Sequence, residues 1–194
     1  MQLSESKTIQ NLANAFAGET QARTRYEFVE YGLRKAGYTT LAEIVDKIAY
    51  QEFNHARMLY TYIQKSSDKP IENIDVSAGY PFREKWDVQE NLKLAAEDER
   101  TESEQVYPSY AEIAQKEGFE EVAKLFSMLS KVERTHMEIF TQLYEKMKKG
   151  DLYTSQKPVE WTCSACGYSH KSLKAWQTCP LCGAKQTAVQ LDLQ

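Results

Sequence analysis

The sequence predicts an all-α four-helix bundle followed by a small C-terminal metal-knuckle domain. Apolar residues recur at helical spacing through most of residues 1–150, with two short turns and one long connection between the periodic segments. All four cysteines of the 194-residue chain lie between Cys163 and Cys182, as two C-x-x-C pairs. The body and the tail therefore differ in sequence pattern, which indicates two modules. We expect a bundle over 1–150, a polar linker over 151–160 and a metal domain over 161–194.

The first two helices are predicted from an apolar stripe on each side of a short turn. The first covers residues 4–36, and Gly37 provides its stop. Thr40 followed by Glu43 has the pattern of a capping box, so we expect the second helix to begin there. Its stripe continues to about residue 65. A turn this short makes the two helices antiparallel neighbours.

A long connection separates this pair from the second pair. Residues 66–86 contain two prolines and a glycine and show no clean period, which predicts a crossover. Asp87 and Glu90 then form a second capping-box pattern. The third helix is expected over 88–117, with a kink at Pro108.

The fourth helix is expected over residues 119–149, between Gly118 and Gly150. Each of the four helices is then roughly 30 residues long. Long helices with two short turns and one long crossover are typical of a ferritin-like bundle.

Two Glu-x-x-His frames lie inside the apolar stripes of the second and fourth helices. Glu52 is followed by His55, and Glu133 by His136, while the third histidine, His170, lies in the tail and is expected to be exposed or structural. Residues three apart on an α-helix project from the same side, so each pair can bind one ion together. A single such pair is more often structural, but two inside apolar stripes favour a metal site.

The first and third helices also direct acids towards the predicted core, at Glu19, Glu99 and Glu102. A buried carboxylate costs several kcal/mol unless it is paired with a cation. Two divalent irons would leave five such acids and two neutral histidines with a charge of about −1. Carboxylate and imidazole ligands suit iron or manganese.

The arrangement matches the di-iron pattern of ferritin-like bundles, in which two helices give one Glu each and two give Glu-x-x-His. Glu102 is then a seventh candidate, beyond what the pattern requires. The six ligands expected from the pattern are Glu19, Glu52, His55, Glu99, Glu133 and His136.

The tail cysteines form two knuckles that can donate four thiolates to one tetrahedral ion. Cys163 and Cys166 supply the first pair, Cys179 and Cys182 the second. This spacing takes either zinc or a single iron, and spacing alone does not choose between them.

Six segments in their order resemble the rubrerythrin family over essentially the whole chain: AGETQARTRY, EFNHA, EDERTESEQVYP, VERTH, CSACGY and CPLCG. The resemblance implies a non-haem di-iron peroxidase that reduces hydrogen peroxide to water in oxidative-stress defence. It also implies that the tail is rubredoxin-like and that its iron, which zinc can replace in preparations, relays electrons. Rubredoxin or a flavoprotein reductase would be the donor, and the chain would form a head-to-tail homodimer or a higher homo-oligomer.

The resemblance also implies roles for four residues near the di-iron site. Glu102 would exchange with His55 as a ligand to one iron when that iron changes oxidation state. Tyr26 and Tyr107 match tyrosines that make hydrogen bonds around the di-iron pocket, although their spacing alone also fits ordinary packing.

Composition limits the other classes of function. The net charge of −4 and the mixed charges give no basic patch for nucleic acid. No stretch of about 18 apolar residues and no apolar N-terminal run is present, so we expect a cytoplasmic protein without membrane spans. Two alternatives stay open: a ferroxidase or iron-handling protein of the ferritin-like class, and a non-catalytic metal-binding protein with zinc in its tail.

Overall fold

A computed structural model of the chain describes residues 2–80, 87–191 and 193, and the end of the predicted crossover lies outside them. Residues 66–80 form no helix or strand, as expected of a crossover. A 3₁₀ turn at Leu3–Glu5 precedes the bundle, and a π-helix at Glu102–Val106 connects its third and fourth helices. The α-helices are α1 (Lys7–Lys35), α2 (Thr39–Gln64), α3 (Val88–Thr101), α4 (Tyr107–Lys116) and α5 (Glu120–Lys149).

Side-chain caps fix the start of two helices. The Ser6 hydroxyl accepts a hydrogen bond from the Ile9 amide at 3.2 Å, and the Asp87 carboxylate accepts one from the Glu90 amide at 3.0 Å. Each cap satisfies one of the amides that the first helical turn leaves without a partner. The Asp87 cap was predicted from the sequence, whereas the Ser6 cap was not.

The capping box predicted at Thr40 is wrong. Helix α2 begins at Thr39 after Tyr38, which makes no side-chain cap. The hydroxyl of Thr40 instead donates to the carbonyl of Val189 at 2.9 Å. Thr40 therefore attaches the tail to the bundle, since its partner lies far along the chain.

The predicted third helix corresponds to α3, the π-helix and α4. The kink was expected at Pro108, and the structure has the π-helix one turn before it. The amide of Tyr107 donates to the carbonyl of Glu102, which is a π-helical bond. In that register the carbonyl of Ser103 would need an amide from Pro108, which has none. The Ser130 hydroxyl on α5 donates to this carbonyl at 2.8 Å and satisfies it.

The bundle core consists of two apolar clusters with a polar layer between them. One contains Tyr26, Leu41 and Phe140, and the other contains Leu12 and Phe126. On α1, α2, α3 and α5, the buried glutamates have the first cluster on one side and the second cluster on the other. The helical periodicity thus places one layer of carboxylates and imidazoles across the middle of the bundle.

The tail is a two-stranded antiparallel sheet, β1 (Thr154–Thr162) with β2 (Ser169–Lys174), followed by a 3₁₀ turn at Gln186–Ala188. Most of β1 lies within residues 151–160, where a linker was expected. Trp161 is buried in a small core of the tail. Leu152, Leu191 and Leu193 pack against the apolar cluster that contains Tyr26, so the tail lies against its own bundle. Within the described part of the chain, none of the helices is both long enough and apolar enough to span a bilayer.

Candidate metal centre

The two Glu-x-x-His frames face each other across the middle of the bundle. The imidazole rings of His55 on α2 and His136 on α5 lie 5.8 Å apart and are nearly parallel, at 22°. Glu52 and Glu133 lie beside them. The helical register places the Glu and the His of each frame on one side of their helix. The packing of the bundle then brings the α2 frame and the α5 frame together, so that His136 contacts Glu52 and His55 contacts Glu133.

Two groups of possible ligands form there, each with its atoms within 4.8 Å of one another. Glu52 and Glu133 belong to both groups, as expected of carboxylates that bridge two ions. The first group is Glu19, Glu52, His55 and Glu133, and the second is Glu52, Glu99, Glu133 and His136.

Both histidines direct Nδ1 at carboxylate oxygens. His55 Nδ1 lies 2.7 Å from Glu52, 3.2 Å from Glu133 and 3.5 Å from Glu19. His136 Nδ1 lies 2.8 Å from Glu133 and 2.9 Å from Glu52. Nδ1 is thus the nitrogen that each ring offers to an ion.

The carboxylates of this layer are among the most buried groups of the protein. Glu19, Glu52, Glu99 and Glu133 are each at most 1 % exposed. Burial raises the pKa of Glu19 and Glu99 well above the usual value, and the charges of Glu52 and Glu133 raise both further. Glu52 differs: burial also raises its pKa, but contacts with the two histidines outweigh burial and lower it to about 2.

The histidines respond in the opposite direction. Burial lowers the pKa of His136, but Glu133 and Glu52 outweigh burial and raise it to about 9. The pKa of His55 is raised in the same way against burial by Glu133, Glu19 and Glu52. The layer as a whole therefore stabilises positive charge at its centre.

Several buried atoms of the layer have no hydrogen-bond partner among the described residues. Although the Nδ1 atoms of both histidines lie close to carboxylate oxygens, neither they nor oxygens of all four buried glutamates meet a partner in hydrogen-bond geometry. Unpartnered carboxylate oxygens and imidazole nitrogens that converge on one point fit two cations. Their donor chemistry fits iron or manganese.

Glu102, predicted as a seventh ligand, is not brought into either group. It lies in the π-helix and is partly exposed. Its Oε1 is 3.8 Å from the position that a Cβ on Gly18 would occupy, next to Glu19. Burial of the carboxyl group and the charges of Glu19 and Asp98 raise its pKa well above the usual value. In this structure His55, and not Glu102, faces the shared carboxylates.

Glu19 and Glu99 each belong to only one of the two ligand groups, and each accepts a hydrogen bond from a tyrosine. The Tyr26 hydroxyl donates to Oε1 of Glu99 at 2.5 Å, and the Tyr107 hydroxyl donates to Oε1 of Glu19. Burial raises the pKa of both phenols, and nearby carboxylates add to the increase. Both phenols therefore stay protonated and act as hydrogen-bond donors.

Gln51 is a site residue that the sequence reasoning missed. Its Oε1 lies 3.0 Å from Nε2 of His136, on the side of the ring away from the carboxylates. The only signal in the sequence is its place directly before Glu52. A glutamine beside a ligand is too common on helices to identify such a role.

The four tail cysteines form a second ligand group, with thiols within 4.8 Å of one another. The Sγ atoms of Cys163 and Cys182 are 3.9 Å apart, and those of Cys166 and Cys179 are 3.7 Å apart. None of the four is in a disulfide. Four converging thiols fit one tetrahedral ion.

The local backbone explains this convergence. Gly167 and Gly183 follow the two pairs with φ of 74° and 76°, a conformation that a residue with a side chain rarely adopts. Each turn brings an amide back to the first cysteine's carbonyl, from Gly167 to Cys163 and from Gly183 to Cys179, at 2.8 and 2.9 Å. His170 is exposed on β2, as expected.

Comparisons with known proteins agree with both modules. The family model for rubrerythrin matches residues 10–144, and the model for the rubredoxin-like domain of rubrerythrin matches residues 161–188. The chain is 37% identical to rubrerythrin of Clostridium perfringens over 180 residues, which covers 93% of this chain and 91% of the relative. It is 31% identical to rubrerythrin of Nitratidesulfovibrio vulgaris over 189 residues, 97% of this chain and 96% of the relative.

Solved structures show the same fold. Nigerythrin in the fully reduced, all-ferrous state matches with a TM-score of 0.62 and 24% identity, over 95% of this chain and 86% of that chain. A bacterioferritin of Mycobacterium tuberculosis matches with a TM-score of 0.59 and 15% identity, over 74% of this chain and 87% of that chain. The matches and the two ligand groups support a di-iron centre in the bundle and one iron in the tail.

Proposed function

Because the chain belongs to the rubrerythrin family, we propose that it is an oxidoreductase that reduces hydrogen peroxide to water in oxidative-stress defence. The observation that carries the proposal is the pair of buried ligand groups that share Glu52 and Glu133. Two adjacent redox ions suit a two-electron substrate: H₂O₂ takes two electrons and two protons and gives two waters. The bound ferrous ions would supply the two electrons.

The residues of the bundle have distinct tasks in this proposal. Glu52 and Glu133, which belong to both ligand groups, would hold both ions, and Glu19 and Glu99 would each hold one of them. Tyr107 and Tyr26 keep these two carboxylates oriented by the hydrogen bonds described above. His55 and His136 complete the set through Nδ1.

Glu102 is the exchangeable group in the proposal. The family resemblance implies that it would exchange with His55 as a ligand to one iron. Its raised pKa means that the carboxyl group keeps a proton at higher pH than an exposed glutamate does. Glu102 can therefore hold a proton and give it to a peroxide oxygen, and the carboxylate that remains would be available to an ion.

An iron held by the four tail cysteines would carry further electrons one at a time. Cys166 and Cys182 are exposed, so an external donor can approach that iron directly. We propose rubredoxin or a flavoprotein reductase as the donor. We also propose a head-to-tail homodimer or higher homo-oligomer, in which the tail of one subunit serves the bundle of another.

The test compares two oxidants on the reduced protein under anaerobic conditions. Stopped-flow mixing of the diferrous protein with hydrogen peroxide should oxidise the bundle iron much faster than mixing with dioxygen. A ferroxidase, as the ferritin-like fold also allows, should prefer dioxygen and turn over added ferrous iron. Rapid oxidation by dioxygen with slow oxidation by peroxide would contradict the peroxidase proposal.

A further inference from the structure

The two histidines of the bundle layer are held differently on the side away from the carboxylates. Nε2 of His136 lies 3.0 Å from Oε1 of Gln51. Among the described residues, Nε2 of His55 has no such hydrogen bond. The two rings therefore offer the same nitrogen to an ion, but only one is anchored from behind.

The chemistry of imidazole assigns the direction of this bond. A neutral histidine that binds an ion through Nδ1 carries its proton on Nε2. His136 Nε2 therefore donates to the Gln51 carbonyl oxygen, and this bond fixes both the tautomer and the ring orientation. Such a partner behind a ligand is typically worth 10–100-fold in metal affinity.

Gln51 lies in a wall of the bundle and not in its sealed interior. It is partly exposed and lines a groove of about 700 Å³ between α2 and α5, together with Lys47, Lys131 and His136. Its side chain connects α2 to α5 at the edge of the metal layer. Apolar residues that include Ile48 and Leu191 also line the groove, so a leucine in place of Gln51 would have apolar neighbours there.

The exchangeable carboxylate lies on the other side of the layer. Glu102 sits beside Gly18 and Glu19, and Glu19 belongs to the ligand group of His55. Gln51 serves the group of His136. One ion therefore has an unanchored histidine with a spare carboxylate near it, and the other has an anchored histidine.

We infer that Gln51 is a positioning residue that anchors His136 to its iron and thereby confines ligand exchange to the iron of His55. The inference rests on the proposed function, since the exchange itself belongs to that proposal. The anchoring part concerns only metal binding, so it is tested without peroxide. Its failure is thus distinguishable from failure of the peroxidase proposal.

The first experiment titrates Mn(II) into the full chain with zinc in the tail and counts free Mn(II) by electron paramagnetic resonance. Wild type should bind two Mn(II) in the bundle. Gln51→Leu should bind one of the two about 10–100-fold more weakly. Gln51→Glu keeps an acceptor oxygen beside Lys47 and Lys131 and should restore the affinity, while Gln64→Leu, on the exposed end of α2, is the matched control. Gln51→Asn, whose amide is too short to reach, replaces Gln51→Leu if that variant does not fold.

The second experiment compares crystal structures of the iron-loaded protein after oxidation and after reduction by dithionite. In wild type and Gln64→Leu, His136 should stay on its iron in both states while His55 and Glu102 exchange. In Gln51→Leu, His136 should leave its iron in one state. Unchanged Mn(II) binding in Gln51→Leu, no recovery in Gln51→Glu, or an immobile His136 in the Gln51→Leu crystals would each overturn the inference.

Discussion

The Tyr26 hydroxyl donates a hydrogen bond to Oε1 of Glu99 at 2.5 Å, with both side chains almost completely buried. Tyr107 and Glu19 repeat this relationship on the other ion's side of the layer. A buried carboxylate with raised pKa needs such a donor, because water does not reach it. The two tyrosines are thus as much a part of the layer as the glutamates that they hold.

Replacing Tyr107 by Phe should weaken the layer while preserving its packing. The change leaves Oε1 of Glu19 without its donor, which costs about 1–3 kcal/mol of unfolding free energy. Denaturant unfolding of the metal-free bundle measures this loss. Tyr60→Phe is the control, because Tyr60 is 49% exposed. Equal stability of Tyr107→Phe and wild type would show that the hydrogen bond contributes nothing.

Replacing Glu102 by Ala should separate metal binding from turnover. The six other side chains of the layer do not depend on Glu102, so bundle iron is retained. Peroxide turnover should be lost, since no carboxylate remains to exchange with His55. Iron analysis and a steady-state peroxide assay check both parts. Glu104→Ala, an exposed glutamate of the same π-helix, should keep full activity; full activity of Glu102→Ala would refute the switching role.

Replacing Cys179 by Ser should disconnect the donor from the bundle. Cys179 is buried in the tail, and burial raises its pKa, but hydrogen bonds from the amides of Cys182 and Leu181 outweigh burial and lower it to about 7. A serine in its place supplies no thiolate to the ion. Donor-driven activity should disappear, while one oxidation of the prereduced bundle by peroxide remains. Ser164→Ala, in the other knuckle, should leave both intact; donor-driven turnover by Cys179→Ser would contradict the relay.

The stability of the bundle without its ions should depend on pH in a defined direction. The pKa of His136 is raised from 6.5 to about 9, so its contribution to stability is complete below pH 6.5 and is lost as pH rises through about 9. The raised pKa values of Glu19 and Glu99 act in the same direction, while the lowered pKa of Glu52 has its effect at acid pH. The melting temperature should therefore fall between pH 6.5 and 9.

Calorimetry measures this fall on protein that carries zinc in the tail and whose bundle ions have been removed with a chelator. The Mn(II)-loaded protein is the control, because bound ions need deprotonated ligands and their affinity does not decrease over this range. A melting temperature that rises with pH in the chelated protein would contradict the assigned direction.

Much of the layer could be predicted from the sequence, because a polar residue inside an apolar helical stripe must point where the stripe points. Glu52 and His55 follow from this rule alone. The π-helix at Glu102 could not be predicted this way, because the one residue that it inserts leaves the spacing of the apolar residues almost unchanged. Thr40 was misassigned because its partner, Val189, is remote in sequence. Gln51 has a role only because α5 brings His136 beside it.

The proposed reaction is the reduction of peroxide at the bundle centre, with electrons that the tail can replace. The most direct measurement is a metal analysis with a visible spectrum of the full chain, followed by an anaerobic peroxide titration. We expect two to three irons per chain and a thiolate-to-iron absorption that dithionite bleaches. About 1.5 peroxide molecules per fully loaded, reduced chain should restore it, since each peroxide takes two electrons. A colourless protein that carries only zinc, as isolated and after anaerobic reconstitution with iron, would contradict the account.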